Sequence, residues 1–375
     1  MPNIFSGKRF WSRSLSKTNR TQWRWVMFMA LVLVSAISGC SPFYVMRAAY
    51  EEGKILWRRE PIVQYLDRPG VESETKEKLQ LVLAVREYAQ TTLNLNVGGS
   101  YASYSYVDRP DLTYILTAAP KTQLKPYTWW FLIVGRVPYK GYFSRQDAEA
   151  AAEGLRADGY DISIRPSAAF STLGWFDDPL LGHLLKYDKV TLAEVVFHEL
   201  FHNTLYVKGA GNFNESVANF VGSRAAIDFF RVKFGDGSAE HERAIRNWQA
   251  ELEFSEFIEG MAEALTELYN REISYEDKLR LREEVFSRYK KEWADRTHIR
   301  GSRRFRSFSQ QPMNNAVLIH YLLYLRNLKV FEAVYQAMGQ NLVRAIEAIR
   351  DAVQKGGEPF ERVQTLVERC QTASH

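Results

Sequence analysis

Apolar and polar positions change their spacing along the chain, and this divides it into regions of different secondary structure. Within residues 43–97 apolar residues recur at close to helical spacing among charged ones, and the Pro-Gly pair at 69–70 breaks the stretch in two. Residues 98–143 are rich in Tyr and Trp and contain four prolines, which is typical of short strands joined by long turns. The pattern therefore predicts helices first and strands second.

The second half of the chain has a different pattern. Residues 144–157 predict a helix with Ser144 as its N-cap, and residues 161–166 predict a short strand. From Asp188 onward the apolar spacing is helical almost throughout. Turns are expected near residues 209–214, 234–238, 299–312 and 355–358. We therefore predict an α+β fold with a β-containing N-terminal half and a mainly helical C-terminal half.

Four segments follow from these boundaries. They are a signal peptide (1–39), an N-terminal helical segment (40–97), an α+β sub-domain (98–187) and a helical domain that carries the candidate site (188–375).

The composition is that of an ordinary globular protein. Of the 375 residues, 46% are hydrophobic and 25% are charged, which argues against disorder and against a coiled coil. The two cysteines, Cys40 and Cys370, are too few for a disulfide framework or a thiolate zinc site.

The positive charge of the chain is concentrated at its start. The first 39 residues contain no acid, and their basic residues are Lys8, Arg9, Arg13, Lys17, Arg20 and Arg24. These six residues account for more than the whole net charge of +5. The rest of the chain therefore lacks the basic surface expected of a nucleic-acid-binding protein, and we expect no nucleic-acid partner.

The same segment has the features of an export signal. An apolar run from Trp25 to Ile37 is too short for a comfortable membrane span, and it is followed by Ser38, Gly39 and Cys40. Ile-Ser-Gly-Cys resembles a bacterial lipobox, which implies cleavage before Cys40 and acylation of its thiol. The alternative is an uncleaved membrane anchor with an incidental cysteine. Ser41 after the cysteine favours the outer membrane, facing the periplasm.

The residues most informative about chemistry lie between 191 and 222. Thr191 and Glu194 have the spacing of a capping box, which predicts the start of a helix. On this helix His198 and His202 are four residues apart, so both imidazoles lie on one face and can bind a single zinc ion. Glu199 is placed to act as general base on a metal-bound water, as in the His-Glu-x-x-His arrangement.

A catalytic zinc site needs a third protein ligand. Gly209 and Gly211 allow the chain to reverse, and a second helix is predicted to begin near Asn214 and Glu215. We take Glu215 as the third ligand; the alternative is a glutamate that interacts with the helix dipole. Asn219, one turn further on, is expected to hydrogen-bond a ligand, although an amide on a helix face is also ordinary.

A zinc hydrolase also needs a group that stabilises the oxyanion of the transition state. The sequence offers several candidates and does not choose among them: Tyr139, Tyr142, Tyr206, His298, His320 and Tyr321.

Several stretches resemble a bacterial family of predicted zinc aminopeptidases of lipoprotein type. They are KPYTWWFLIVGRVPYKGYFSRQDA (125–148), STLGWFDDPLL (171–181), LAEVVFHELFHNTLYVKGAGNFNESVANFVG (192–222) and MNNAVL (313–318). The resemblance implies that His198, His202 and Glu215 bind zinc with Glu199 as the catalytic residue. It also implies a zincin-like fold, since the His-His-Glu pattern is similar to that of the gluzincin peptidases.

We therefore expect a zinc-dependent peptidase of the bacterial envelope with one zinc ion per chain and a peptide or protein substrate. No Gly-x-Met-x-Asn exopeptidase signature is present, so aminopeptidase and endopeptidase action both stay open. A second hypothesis is an envelope assembly or quality-control factor that binds partners through Trp129, Trp130 and Phe131. The ordinary explanation of these aromatic residues is a packed core, which we favour. The oligomeric state is left open.

Overall fold

Our computed structural model describes residue 50 and residues 53–106, 113–131, 135–167, 177–300 and 304–373, without the side chains of residues 167, 297–300 and 373. The first helices are short or of moderate length: α1 (Ile62–Leu66), α2 (Ser73–Thr91) and α3 (Arg145–Ala157). The later ones include the longest: α4 (Lys189–His202), α5 (Gly211–Phe234), α6 (Ala239–Asn270), α7 (Tyr275–Arg300), α8 (Asn315–Tyr324), α9 (Leu328–Ala337), α10 (Leu342–Val353) and α11 (Pro359–Ala373). The predicted α+β class, with a mainly helical second half, is confirmed.

The strands form three small sheets. They are β1 (Glu60–Pro61), β2 (Ser103–Ser105), β3 (Thr113–Pro120), β4 (Trp129–Phe131), β5 (Gly135–Val137), β6 (Lys140–Tyr142), β7 (Tyr160–Ser167) and β8 (Leu180–Leu181). The sheet orders are β1-β2-β8, β6-β3-β7 and β4-β5. In the second sheet β3 pairs antiparallel with β7 along its whole length, from Thr113 opposite Ser167 to Pro120 opposite Tyr160.

The predicted helix starts were correct in one case and wrong in another. Ser144 caps α3, because its side chain accepts a hydrogen bond from the backbone N–H of Asp147 at 3.1 Å. The capping box of Thr191 and Glu194 does not form. Asp188 caps α4 instead, by accepting from the N–H groups of Val190 and Thr191.

The helical core surrounds the helix that carries the two histidines. α4 packs between α5 and α2, and α5 in turn packs against α6 and α8. The largest side chains that these helices bury completely are aromatic: Trp248, Phe197, Phe201, Phe213, Phe220, Phe230 and Phe254. Because aromatic side chains bury large apolar areas, this packing fixes the histidine helix rigidly.

The aromatic residues of β4 do not lie in this core. Trp130 is 42% exposed, while Trp129 and Phe131 are only partly buried. The packed core favoured from the sequence is therefore wrong for Trp130. The reason is that β4 pairs with β5 alone in a two-stranded sheet, which covers at most one face.

A buried ion pair joins the β6-β3-β7 sheet to the helices. Arg282 of α7 contacts Asp161 of β7 at 2.7 Å, and both side chains are less than 10% exposed. Asp161 also accepts from the backbone N–H of Asn315, and Asn315 donates its amide to the carbonyl of Pro120. The first turn of α8 is thus held against the sheet.

All described residues belong to one unit, Tyr50–His375. In this part of the chain, no helix combines the length and apolar character that crossing a membrane requires. Cys40 and the apolar run before it lie outside the described residues.

Candidate metal centre

The two histidines of α4 lie at its C-terminal end and face each other. His198 and His202 are one helical turn apart, with ring centroids separated by 4.9 Å and Nε2 atoms by 3.2 Å. The side chain of His202 is only 3% exposed and that of His198 is 13% exposed. The helix thus presents two imidazole nitrogens to the same point.

A tight loop after α4 brings Glu215 to that point. Gly209 adopts a positive φ of 81° in this loop. The side chain of Asn214 then ties the loop to α5, since it both accepts from and donates to the backbone of Val207 at 2.8 Å. The α5 helix begins at Gly211, earlier than predicted, so Glu215 lies in its second turn.

Glu215 completes a convergent group of three donors, as the sequence predicted. Its Oε2 lies 3.2 Å from Nε2 of His198 and 3.6 Å from Nε2 of His202. The three ligand atoms all lie within 4.8 Å of one another. Two imidazoles and one carboxylate are the donor set of a catalytic zinc site, so these residues fit the ion that the motif implies.

The charges of the group are strongly coupled. Burial alone would raise the pKa of Glu215, but the charges and hydrogen bonds of His202 and His198 outweigh it and hold that pKa well below its usual range. The converse holds for His202. Burial lowers its pKa, but the interactions with Glu215 and the charge of Glu199 outweigh burial, so the pKa of His202 is raised above its ordinary value. A carboxylate that stays ionised beside two imidazoles favours a cation at this position.

Glu199 lies beside the three donors without joining them. Burial raises the pKa of its carboxyl, the two histidines oppose that increase, and the charges of Glu215 and Asp178 add to it. A carboxylate with a raised pKa accepts a proton more readily than a solvated one. The position and the environment of Glu199 therefore suit a general base.

Tyrosines and one histidine surround the group. Burial raises the pKa of Tyr139, Tyr206 and Tyr324, and the charge of Glu215 raises each of them further. His320, one turn before Tyr324 on α8, lies 5.5 Å from its ring, and the ring of Tyr324 lies 6.3 Å from that of His198.

The oxyanion candidates from the sequence separate into two groups. Tyr139, Tyr206 and His320 lie close enough to Glu215 for its charge to affect their pKa values. Tyr142 lies in β6 under the ammonium of Lys140, and Tyr321 lies under the guanidinium of Arg165. The side chain of His298 is outside the described residues.

Two tyrosines near the candidate metal centre were not among the residues predicted from the sequence. Tyr324 shares a helix face with His320, and that spacing was the available signal. Tyr101 is buried with a left-handed φ of 59°, and the charge of Glu199 adds to the effect of burial in raising its pKa. Nothing in the local sequence indicates that Tyr101 lies near Glu199.

Asn219 has a different partner from the one expected. Its amide donates to Oε2 of Glu251 on α6 at 3.1 Å. The partner of this amide is therefore a carboxylate of the neighbouring helix, and not one of His198, His202 and Glu215. Ser223 donates to the same oxygen at 3.0 Å. Among the described residues, no group hydrogen-bonds the buried Nδ1 of His202.

Glu251 belongs to a buried polar network behind the histidines. Arg304 contacts Glu251 at 2.6 Å and Glu194 at 3.2 Å, and Asn247 donates to Glu194 at 3.0 Å. Glu194 lies one turn before His198 on α4, and Asn219 lies one turn after Glu215 on α5. The network therefore links both ligand-bearing helices to α6.

A family model described as “Putative aminopeptidase” matches residues 43–365, which is most of the chain. No curated protein and no solved structure matches it. The matched range contains His198, Glu199, His202 and Glu215.

Proposed function

Because the chain belongs to the family described as “Putative aminopeptidase”, we propose that it is a zinc-dependent aminopeptidase of the bacterial envelope. The observation that carries this proposal is the convergence of His198, His202 and Glu215, whose donor atoms lie within 4.8 Å of one another. Glu199 beside them supplies the acid–base group that peptide hydrolysis needs.

His198, His202 and Glu215 would hold the zinc ion through two imidazole nitrogens and one carboxylate oxygen. When bound, zinc lowers the pKa of a water molecule to about 7 and polarises the carbonyl of the scissile bond. The low pKa of Glu215 supports this role, since its carboxylate needs no deprotonation before it binds a cation.

Glu199 accepts the proton of the attacking water and later passes it to the leaving amine. Its raised pKa supports the first step, because such a carboxylate accepts a proton more readily than a solvated one. The enclosure of Glu199 beside buried tyrosines also limits exchange of that proton with bulk solvent.

His320 and Tyr324 stabilise the oxyanion. Burial and the charge of Arg165 lower the pKa of His320 to about 3, so its imidazole is neutral at neutral pH and donates one N–H. Burial and the charge of Glu215 raise the pKa of Tyr324, which keeps its hydroxyl protonated. Both side chains come from one face of α8, which the buried contacts of Asn315 hold against the sheet.

Aminopeptidase action requires an anion for the α-ammonium of the substrate, and Asp178 supplies it. Asp178 is 8% exposed, and its charge acts on both Glu199 and Tyr101. Its carbonyl accepts from the backbone N–H of Tyr101 at 2.7 Å, which fixes its position. Endopeptidase action is the alternative if this group does not bind an amine.

The envelope location rests on the N-terminal sequence alone. Basic residues, the apolar run from Trp25 to Ile37 and the following Cys40 form the pattern of a lipoprotein signal. We place the acylated Cys40 in the outer membrane with the rest of the chain in the periplasm. Metabolic labelling with a fatty acid, lost in Cys40→Ser, tests this part of the proposal.

The peptidase proposal is tested with the full-length protein in detergent, using Leu-Gly-Gly and its N-acetylated form. We expect cleavage of the free peptide, with a loss of at least about a thousandfold in Glu199→Gln and no change in its zinc content. Glu272→Gln, which changes an exposed glutamate in the turn before α7, is the matched control. An active Glu199→Gln enzyme would contradict the mechanism. Cleavage of the acetylated peptide at a similar rate would favour the endopeptidase alternative.

A further inference from the structure

Arg165 of β7 is held by neutral groups. Its guanidinium lies 4.7 Å from the ring centroid of Tyr321, in a cation–π contact. Nη2 donates to Oε1 of Gln311 at 3.3 Å, and the amide of Gln311 donates to the hydroxyl of Tyr321. Tyr321 and Gln311 thus contact the face and one N–H group of the guanidinium, and no other group in the described part of the chain accepts a hydrogen bond from it.

Three other partly or fully buried arginines pair with carboxylates, whereas Arg86 donates to the backbone carbonyls of Ser100 and Gly98. Arg224 pairs with Glu332, Arg282 with Asp161, and Arg304 with Glu251. Among the described residues, no Asp or Glu forms an ion pair with Arg165, although its side chain is partly buried. A guanidinium in such a position usually has an anionic partner, because burial of a charge without one is costly.

Arg165 and the candidate metal centre both lie near His320 of α8. His320 precedes Tyr321, and the positive charge of Arg165 and the negative charge of Glu215 both act on it. The ring of His320 is 5.5 Å from that of Tyr324, which is 6.3 Å from His198. His320 and Tyr324 thus lie between the guanidinium of Arg165 and the histidines of the metal centre.

We propose that Arg165 binds a carboxylate of the substrate, so that the preferred substrates are peptides with an acidic group close to the scissile bond. This inference rests on the peptidase function proposed above. An extended peptide advances by roughly 3.5 Å per residue, and we place the carboxylate on one of the first residues after the cleaved bond. It is the C-terminal carboxylate of a short peptide or an acidic side chain. The planar fork of arginine pairs with either one through two parallel hydrogen bonds.

Binding of peptides that cannot be cleaved tests this inference separately from activity. The probes have CH2–NH in place of the Leu–Gly amide bond: the acid of Leu-Gly-Gly, its C-terminal amide, and Leu-Gly-Glu with an amidated C-terminus. Calorimetric titration of the full-length wild-type protein should show the acid binding about ten to a hundredfold more tightly than the amide. If the amidated Glu peptide binds as tightly as the acid, the carboxylate is that of a side chain; if only the acid does, it is the C-terminus.

Arg165→Gln should remove the difference between acid and amide, and Arg165→Lys should keep part of it as a point charge. Arg288→Gln is the matched control, because Arg288 also lies over a tyrosine ring, at 5.3 Å, but is exposed on α7. The lysine variant, together with a thermal unfolding curve of each protein, separates lost binding from lost folding.

Equal binding of acid and amide by the wild type, or no binding of either at millimolar concentration, would overturn the inference. The inference would also be overturned if Arg165→Gln still bound the acid more tightly than the amide. Carboxylate-dependent binding without hydrolysis of Leu-Gly-Gly would keep the role of Arg165 and reject the peptidase function. Hydrolysis of Leu-Gly-Gly without tighter binding of the acid would keep the peptidase function and reject the role of Arg165.

Discussion

Gly222 of α5 lies directly against His198 of α4. A Cβ atom placed on Gly222 would be 3.2 Å from both the Cβ and the backbone nitrogen of His198, and 2.7 Å from the carbonyl oxygen of Glu194. Only a glycine lets the two helices approach this closely. The same approach places Glu215, two turns earlier on α5, against the histidine pair.

Gly222→Ala is therefore expected to push α4 and α5 apart. The contact with the carbonyl of Glu194 involves backbone, which cannot rotate away, so we expect a loss of about 1–3 kcal/mol in the free energy of unfolding. Zinc content and peptide hydrolysis should fall as well, because the distance from Glu215 to the histidines increases. Urea unfolding and elemental analysis measure the two effects.

Gly154→Ala is the control for this substitution. Gly154 lies inside α3 with nothing within 4 Å of the added Cβ, so alanine there should stabilise the helix by about 0.5–1 kcal/mol and leave the metal centre unchanged. Equal effects of the two substitutions would show that the approach of α4 and α5 does not control the site.

Glu194 should make stability depend on pH. Burial is the largest effect, and together with the charge of Glu251 it raises the pKa of Glu194 from 4.5 to about 7 in spite of Arg304. Between these values the folded protein keeps a proton that the unfolded chain releases. The contribution of Glu194 to stability therefore falls as the pH rises from about 4.5 to about 7.

Glu194→Gln cannot ionise and should lose this dependence. Relative to the wild type, its free energy of unfolding should increase between pH 5 and pH 8, by about 1.4 kcal/mol for each unit by which the pKa is raised. Glu242→Gln, an exposed glutamate on α6 that pairs with Arg246, is the control and should show no such trend. The argument fails if the difference between wild type and Glu194→Gln is the same at both pH values.

Tyr324→Phe and His320→Phe test the oxyanion assignment. Each removes one donor and keeps an aromatic ring at the position, so kcat should fall by about a hundredfold while KM and zinc content change little. Tyr275→Phe, at an exposed tyrosine at the start of α7, is the control. A KM effect without a kcat effect would assign these side chains to substrate binding instead.

Local sequence patterns predicted the features that local interactions determine. The Ser144 cap depends on an N–H three residues away, and the positions of His198 and His202 on one face depend only on helix geometry. The third donor, Glu215, was also predicted, because the short loop between α4 and α5 leaves few ways to reverse the chain.

Distant contacts account for the wrong predictions. Glu194 does not cap α4, because it pairs with Arg304, which is 110 residues away in the sequence. Asn219 bonds Glu251 of α6 for the same kind of reason. Tyr101, which was not predicted at all, lies near Glu199, and its N–H donates to the carbonyl of Asp178, 77 residues later in the sequence. Buried polar groups find partners wherever the packed helices bring them, and a single sequence does not show which.

The binding of zinc by His198, His202 and Glu215 is the central claim, and the metal content of the purified full-length protein tests it most directly. Elemental analysis should find about one zinc ion per chain in the wild type and in Glu199→Gln. His202→Ala should lose nearly all of it, whereas His241→Ala, a histidine at the start of α6, should retain it. A wild-type protein without zinc, or a His202→Ala protein with the same zinc content as the wild type, would contradict the account.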